Sequence, residues 1–585
     1  MEQHDNYLIG KSKVEITFFR EGCGMLGYGR HFHYIKGIET PQYVRTFVFK
    51  KGVSQIAIVC AEFCFVTDYL KLGIVAQLQA QAPDLNWQDD NIMILAQHTH
   101  SAAGGFGQYP IYNMSVPGFQ EDVYETYKNG IVKSIIEASE NLQLGKLSFH
   151  KGAFDKDAEI CFNRSLLAYN QNPEVKEKLN DNMRHLAADR FMSLLRIDAV
   201  NTGLPLGLLN WFSVHTTSVS NDYNKVCYDN KGYAAEYLEK DLQSTYTQSN
   251  IFTVFAQGAT GDISPNFRWH KSKGIYKGKF DDDYESAAYN GKLQYEKAKE
   301  IFEESSTKGE NISGEIDYIQ AYIPISNLEV DRKYAYGMEG KFSVAPTMGL
   351  AFMRGTTDGI GIPKALNFIL KNALSPFQKR KLKKAQKNPI LYQDELKYWE
   401  SQMPKICTVN LSEGSVVGFK NAKSIPLPAF VDPMIKYMKL MKAKDGSAVQ
   451  KPWGPEIVPI QIFIIGQLAF VGVPSEITTI AGKRLENSIL SILKERGIER
   501  VIISPYANAY AGYITTPEEY KVQCYEGGHT LYGQWTLPAY QSAYEKIAIE
   551  LLKNKNERQP YGLPPYQLAM EKLWYRFEDP SIQVL

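Results

Sequence analysis

Two histidines one residue apart, His98 and His100, stand where the buried-looking apolar run NIMILAQ (residues 91–97) ends. In extended chain, alternate side chains share a face, so both imidazoles can look into one cleft. Imidazole is also the commonest near-neutral metal ligand. A pair of hydrogen-bonded core histidines is the competing reading, and the pair alone does not separate the two. The same arrangement recurs along the chain. LGLLNWFSV leads to His215, IFTVFAQGATGD to Ser264, QLAFVGVPS to Glu476 and RVIISPYANAYAG to Tyr513. Taken singly, His215 reads as a structural histidine, and Glu476 as the cap of the helix that follows it. Together, two histidines and one carboxylate are what a catalytic zinc with one open position requires. The small-residue loop Ser101-Ala102-Ala103-Gly104-Gly105 would let a ligand come close to the backbone.

The elements that must position these groups are strands. YVRTFVFKKG and SQIAIVCAEF form a hairpin across Lys-Lys-Gly, and a helical run to about residue 82 follows. Ile457–Pro474 is too short and too interrupted to span a membrane, and reads as two buried strands around a turn. A helix is expected at about 285–305. Five strands that each end in a reactive residue predict an α/β domain, built on a large mixed sheet, whose strand ends converge on one site. It occupies residues 1–553, with an insertion at about 362–455 and a Pro- and charge-rich tail at 554–585.

Bulk properties exclude some classes. A net charge of +1 gives no global field to recruit nucleic acid. Seven scattered cysteines without a CxxC pair read as buried free thiols, which fits a reducing compartment. The first residues lack the apolar core of an export signal. The sequence therefore predicts a cytoplasmic protein, or a secreted or periplasmic one if the N-terminus is incomplete. No transmembrane segment is expected.

Several stretches are specific enough to carry a resemblance: HTHSAAGGF at 98–106, NRSLLAYNQNP at 163–173, NWFSVHTTS at 210–218, GATGDISPN at 258–266, RGTTDGIG at 354–361, and two longer blocks at 453–485 and 508–537. They resemble the neutral, non-lysosomal ceramidases, in family order, over most of residues 8–550. The resemblance implies a Zn²⁺ held by His98, His215, Glu476 and Tyr513. It implies a proton-handling role for His100 and a role at the reacting carbonyl for Ser264, as nucleophile or partner. It also implies that Arg164 and Tyr525 line the scissile amide. A phenol ionises near pH ~10, so Tyr513 becomes an anionic ligand only beside a cation.

The chain departs from the family at Ala102-Ala103-Gly104-Gly105-Phe106, where Gly-Pro-Gly-Gly-Tyr is usual. It also lacks the usual histidine near Gly37–Pro41 and the cysteine-bearing segment after Ser-Pro-Asn. The immunoglobulin-like C-terminal domain typical of members has no counterpart before Leu585. The expected activity is hydrolysis of ceramide or a close N-acyl sphingoid lipid. The alternatives are an amidase for other N-acyl lipids, such as N-acyl amino acids or sulfonolipids, and an inactive lipid-binding relative. The stripe Met434, Ile435, Met438 and Met441 with its lysines reads first as an ordinary surface helix that packs its methionines into the protein, with peripheral contact at an anionic membrane as the alternative. The six basic residues within Lys379–Lys387 read as a solvated face.

Overall fold

A computed structural model describes residues 6–30, 32–116, 118–419, 424, 438–439, 441–559 and 561–575. The main sheet is built from β1 (Tyr7–Glu15), β2 (Tyr43–Lys51), β3 (Ser54–Ala61), β4 (Ile92–Ala96), β5 (Gln143–Ala153), β6 (Phe191–Ala199), β7 (Pro205–Phe212), β8 (Phe252–Gln257) and β9 (Glu310–Ile312). Its order is β8-β7-β6-β5-β1-β2-β3-β4, with β9 paired to β5. The β7–β8 and β3–β4 pairs are parallel and the others antiparallel, so the sheet is mixed. The expected hairpin is β2–β3, closed by Gly52 at φ 57°.

A second sheet adds β10 (Ile316–Ile323), β11 (Val458–Ile465), β12 (Leu468–Val473) and β13 (Arg500–Pro505), in that order. The apolar run 457–474 is the antiparallel hairpin β11–β12, as expected.

Alternation along the strands explains why there are two sheets. Phe47, Phe49, Ile56 and Ile58 of the first sheet meet Phe463, Phe470 and Ile502 of the second in one core between them. The opposite faces are covered by helices. Val44, Val48 and Val59 pack under Asp68–Gln81 and Glu121–Glu140. Leu208 and Phe255 pack under Asp229–Thr245 and Asp283–Lys308, the latter being the helix expected at 285–305. Ile462, Val471 and Ile503 pack under Thr479–Leu493 and Thr536–Leu551.

Two features of this architecture build the site. Gln257, at the end of β8, and Thr216, beyond β7, both donate to the Gln97 carbonyl just past β4, at 3.0 and 3.1 Å. The far ends of the main sheet are thereby drawn together. Residues 506–508 stitch the second sheet to the first: Ala507 N donates to Val473 O, Ala96 N to Tyr506 O and Asn508 N to Ile94 O.

The described part of the tail packs onto the domain. Leu573 lies in one core and Trp574 in another, and Phe119 N donates to the Trp574 carbonyl at 2.5 Å. Within the insertion, Met434 and Ile435 lie outside the described residues, whereas Met438 and Met441 pack against the core of the second sheet. All seven cysteines are free, and six are buried. No helix among the described residues is long and apolar enough to cross a membrane.

Candidate metal and catalytic site

The strand ends converge. Past β4 the chain turns sharply at His98, which has φ 77°, a left-handed conformation that costs a non-glycine residue about 1–2 kcal/mol. The surroundings hold it there. His98 N donates to Phe63 O at 3.0 Å, its ring stacks on Tyr506 at 4.0 Å, and its Nδ1 donates to the Cys64 carbonyl at 2.6 Å. That last bond leaves Nε2 as the atom with the free lone pair. His215 is fixed in the same way, with Nδ1 against the Thr260 and Ile263 carbonyls at 2.8 and 3.0 Å. Both Nε2 atoms face Glu476 Oε2, at 3.5 Å from His98 and 3.1 Å from His215.

Glu476 is therefore not a helix cap. It lies in the short strand Glu476–Ile477, which pairs in parallel with Tyr513–Ile514, so Glu476 and Tyr513 stand side by side. The helix beyond starts at Thr479. The remaining acceptor capacity of the carboxylate is taken by the phenols of Tyr506, at 3.2 Å, and Tyr510. Burial works to raise the Glu476 carboxyl, but the His98 and His215 imidazoles outweigh it and hold the acid well below its usual range. Burial lowers His215, and lowers His100 well below its ordinary value, which favours the neutral imidazole at each.

This donor set fits a zinc ion. A tetrahedral ion with ligand bonds of about 2.0–2.1 Å sets its donors roughly 3.3 Å apart, the spacing between Glu476 and the two imidazoles. Pinning each Nδ1 on a carbonyl is the outer support that histidine ligands need. Several buried polar atoms near the cup, His100 Nδ1, Thr217 Oγ1, Thr260 Oγ1 and His529 Nδ1 among them, find no hydrogen-bond partner among the described residues. Such orphans are expected where a ligand or solvent belongs. Cys64, His98 and His100 form a second possible group. It fits poorly: Cys64 lies on the Nδ1 side of His98, whose Nδ1 is already bonded, and burial pushes its thiol far up, against thiolate formation.

His100 Nε2 lies 3.1 Å from His98 Nε2, at the rim of the cup. Its ring meets the edge of Tyr28 at 4.6 Å. Gly27, at φ 129°, makes room for it: a Cβ there would come within 2.4 Å of His100 Cγ. Arg164 donates from Nε to Glu526 at 2.9 Å, and from Nη2 to the Gly261 carbonyl at 2.9 Å and the Tyr513 hydroxyl at 3.0 Å. Its guanidinium also covers the Tyr525 ring at 5.4 Å. Burial raises the Tyr513 phenol well above its usual value, and Arg164 works against that rise.

Ser264 is buried, although the Ser-Pro-Asn sequence around it signals an open turn. It lies in the two-residue strand Ile263–Ser264 paired with Phe162–Asn163, and its Oγ donates to Asp358 Oδ2 at 2.6 Å. Asp358, Glu526, Tyr506, Tyr510 and Gly27 join the site although no residue-level signal assigns them a role: Asp358 lies inside RGTTDGIG, and Tyr510 and Glu526 inside the block 508–537. The run of tyrosines at 506, 510 and 513 is the available signal for two of them. The small-residue loop also differs from expectation. Ala102–Ala103 pairs with Met25–Leu26, and Gly104 is crowded by Leu26 and Val116, so the protein itself occupies that close approach.

Fold and site together describe an α/β protein with a buried two-histidine, one-carboxylate cup where two sheets meet. The chain matches the family model described as neutral/alkaline non-lysosomal ceramidase, N-terminal, over residues 7–425 and 434–542. It is 31% identical over 548 residues to a neutral ceramidase of Pseudomonas aeruginosa, covering 93% of this chain and 72% of that one. To neutral ceramidase B of Dictyostelium discoideum it is 30% identical, covering 97% and 75%. Among solved structures, a ceramidase complexed with C2 aligns with a TM-score of 0.77 at 29% identity, covering 98% of this chain and 78% of that chain. This chain belongs to the neutral/alkaline non-lysosomal ceramidase family.

Proposed function

We propose that this protein hydrolyses the N-acyl amide bond of ceramide or a closely related N-acyl sphingoid lipid, releasing fatty acid and a free amine, with a zinc ion held by His98, His215, Glu476 and Tyr513. The observation that carries this reading is the cup itself: two imidazoles with Nδ1 fixed on backbone carbonyls and Nε2 turned to one carboxylate oxygen. When bound, zinc supplies a Lewis acid that polarises an amide carbonyl and brings the ionisation of water near pH ~7.

The protein's own groups have distinct tasks on this reading. His100, buried with the neutral imidazole favoured and Nδ1 unengaged, takes a proton and returns it to the leaving amine. Arg164, fixed by Glu526, and the phenol of Tyr525 stabilise the charge that develops on the amide oxygen. Asp358 orients the Ser264 hydroxyl toward its task at the carbonyl, whether as attacking group or as hydrogen-bond partner. Tyr506 and Tyr510 keep Glu476 turned toward the imidazoles.

The test is metal content and fatty-acid release together. Protein prepared without added metal is expected to contain one zinc per chain. It should lose amidase activity to a chelator, regain it with zinc, and prefer ceramide within a panel of N-acyl sphingoids, N-acyl amino acids and sulfonolipids. A zinc-free protein whose activity ignores both treatments would refute the metal assignment. Preference for another acyl lipid would refute the substrate.

A further inference from the structure

The insertion carries a second unusual surface. Residues Lys364–Lys387 form a helix, KALNFILKNALSPFQKRKLKKAQK, with eight basic residues and no acidic one. Its inner face is narrow: Leu374, Gln378 and Ala385 are buried. The solvent-exposed sides carry apolar side chains as far as Phe377: Phe368 is 68% exposed, Ile369 62% and Phe377 48%. From Lys379 onward they are basic. Just past the helix, Ile390 and Leu391 are 93% and 74% exposed. None of the eight basic side chains forms an ion pair among the described residues. The charge changes only at the following helix, Gln393–Gln402, with Asp394 and Glu395 in its first turn.

Large apolar side chains left bare are costly to keep in water. Beside cations that lack an acidic partner, although Lys381 and Lys384 lie over the Phe377 and Tyr392 rings, they match one kind of partner well. At an anionic lipid surface the apolar side chains enter the acyl boundary, and lysine stems extend so that their ammonium groups meet the headgroups. The position in the chain is also informative. The helix begins six residues after Asp358, which holds Ser264, and the intervening strand Gly359–Ile360 leaves Ile360 exposed. Phe352, just upstream, stacks on His529 and packs against Tyr525.

We infer that the helix Lys364–Lys387, with Ile390 and Leu391, is a docking surface for anionic lipid membranes, placed beside the candidate catalytic site. This rests on the lipid-amidase reading for its purpose but not for its test. It also moves the membrane contact away from the methionine stripe, whose described members pack into a core, and onto the basic run that the sequence alone presents as a solvated face.

The test is co-sedimentation of the full chain with extruded vesicles, either pure phosphatidylcholine or phosphatidylcholine with about a third phosphatidylglycerol. Binding is expected to the anionic vesicles, at least tenfold over the neutral ones, and to fall with added salt. Phe368→Ser/Ile369→Ser should lower it about tenfold or more. Lys379→Gln/Lys383→Gln/Lys384→Gln should lower it roughly fivefold per charge removed. Ile390→Ser/Leu391→Ser, outside the helix, serves as an independent variant should the helix fail to fold. Equal binding to both vesicle types, or wild-type binding by the apolar and basic variants alike, would overturn the proposal. Hydrolysis of a water-soluble short-chain N-acyl substrate, run in parallel, should be unchanged by these variants. Its absence in the wild type would count against the amidase reading while leaving the vesicle result intact.

Discussion

The cup at the strand ends and the helix Lys364–Lys387 break the usual distribution of polarity in opposite ways. In the cup, groups that prefer water are buried. In the helix, groups that prefer the interior are exposed. The first inversion is sustained by saturation: Glu476 meets two imidazoles and two phenols, and each imidazole is held on its far side. The second has no such support among the described residues. Burial with complete bonding is what precise placement of reacting atoms demands, whereas exposure without partners is what an intermittent contact demands. Substitutions in the two regions should therefore differ in kind, with the cup sensitive in chemistry and the helix nearly silent in stability.

The largest effect is expected at the ligands. His98→Ala should lose the metal and at least about a thousandfold in activity, while His100→Ala should keep the metal and lose turnover. Elemental analysis beside rate measurement checks both, and metal loss from His100→Ala would make that residue a ligand rather than a proton carrier. Next is Ser264→Ala, which should cost about a hundredfold or more in turnover. It should also cost about 1 kcal/mol in stability, because the half-buried Asp358 loses a donor. Steady-state kinetics and a melting curve separate the two losses.

A smaller effect is expected from Gly27→Ala, whose Cβ would displace the His100 ring. Activity should fall about tenfold or more with metal content unchanged. Full activity would show that the ring has room to move. The smallest is Phe368→Ser/Ile369→Ser, which should change unfolding free energy by no more than about 0.5 kcal/mol. A large drop in melting temperature would mean that the face is covered by the protein itself.

What the sequence discloses follows from chemistry at short range. The apolar runs before His98, His215 and Glu476 are buried strands, so the residues after them emerge at one end of the fold, and that much is legible. The partition into two sheets is not, because runs such as VPIQIFII and LAFVGV are apolar on both faces and say nothing about which core each face joins. Asp358 and Glu526 fall inside stretches that carry the resemblance, yet their tasks are not legible, because a carboxylate looks the same in sequence whether it anchors Ser264 or Arg164 or faces water. Ser264 defies expectation for a related reason: a Ser-Pro-Asn bend signals a turn without revealing what packs over it. The loop at 101–105 has the composition of ligand space, but its lack of side chains accommodates Leu26 and Val116 instead. Helix Lys364–Lys387 shows its charge plainly, yet only the packing reveals which side stays uncovered.

The stitch at residues 506–508, which joins the two sheets beside His98, has a consequence for the order of events during biogenesis. The proposed ligands come from the early, middle and late parts of the chain and from both sheets, so no fragment presents the full set. Contacts of such long sequence separation form late in folding. A zinc ion offered early meets only loose histidines and cysteines, whereas one offered late meets a finished cup. Acquisition of tightly bound zinc should therefore mark the end of maturation, and a stalled or truncated chain would be recognisable as one that never passed this final inspection.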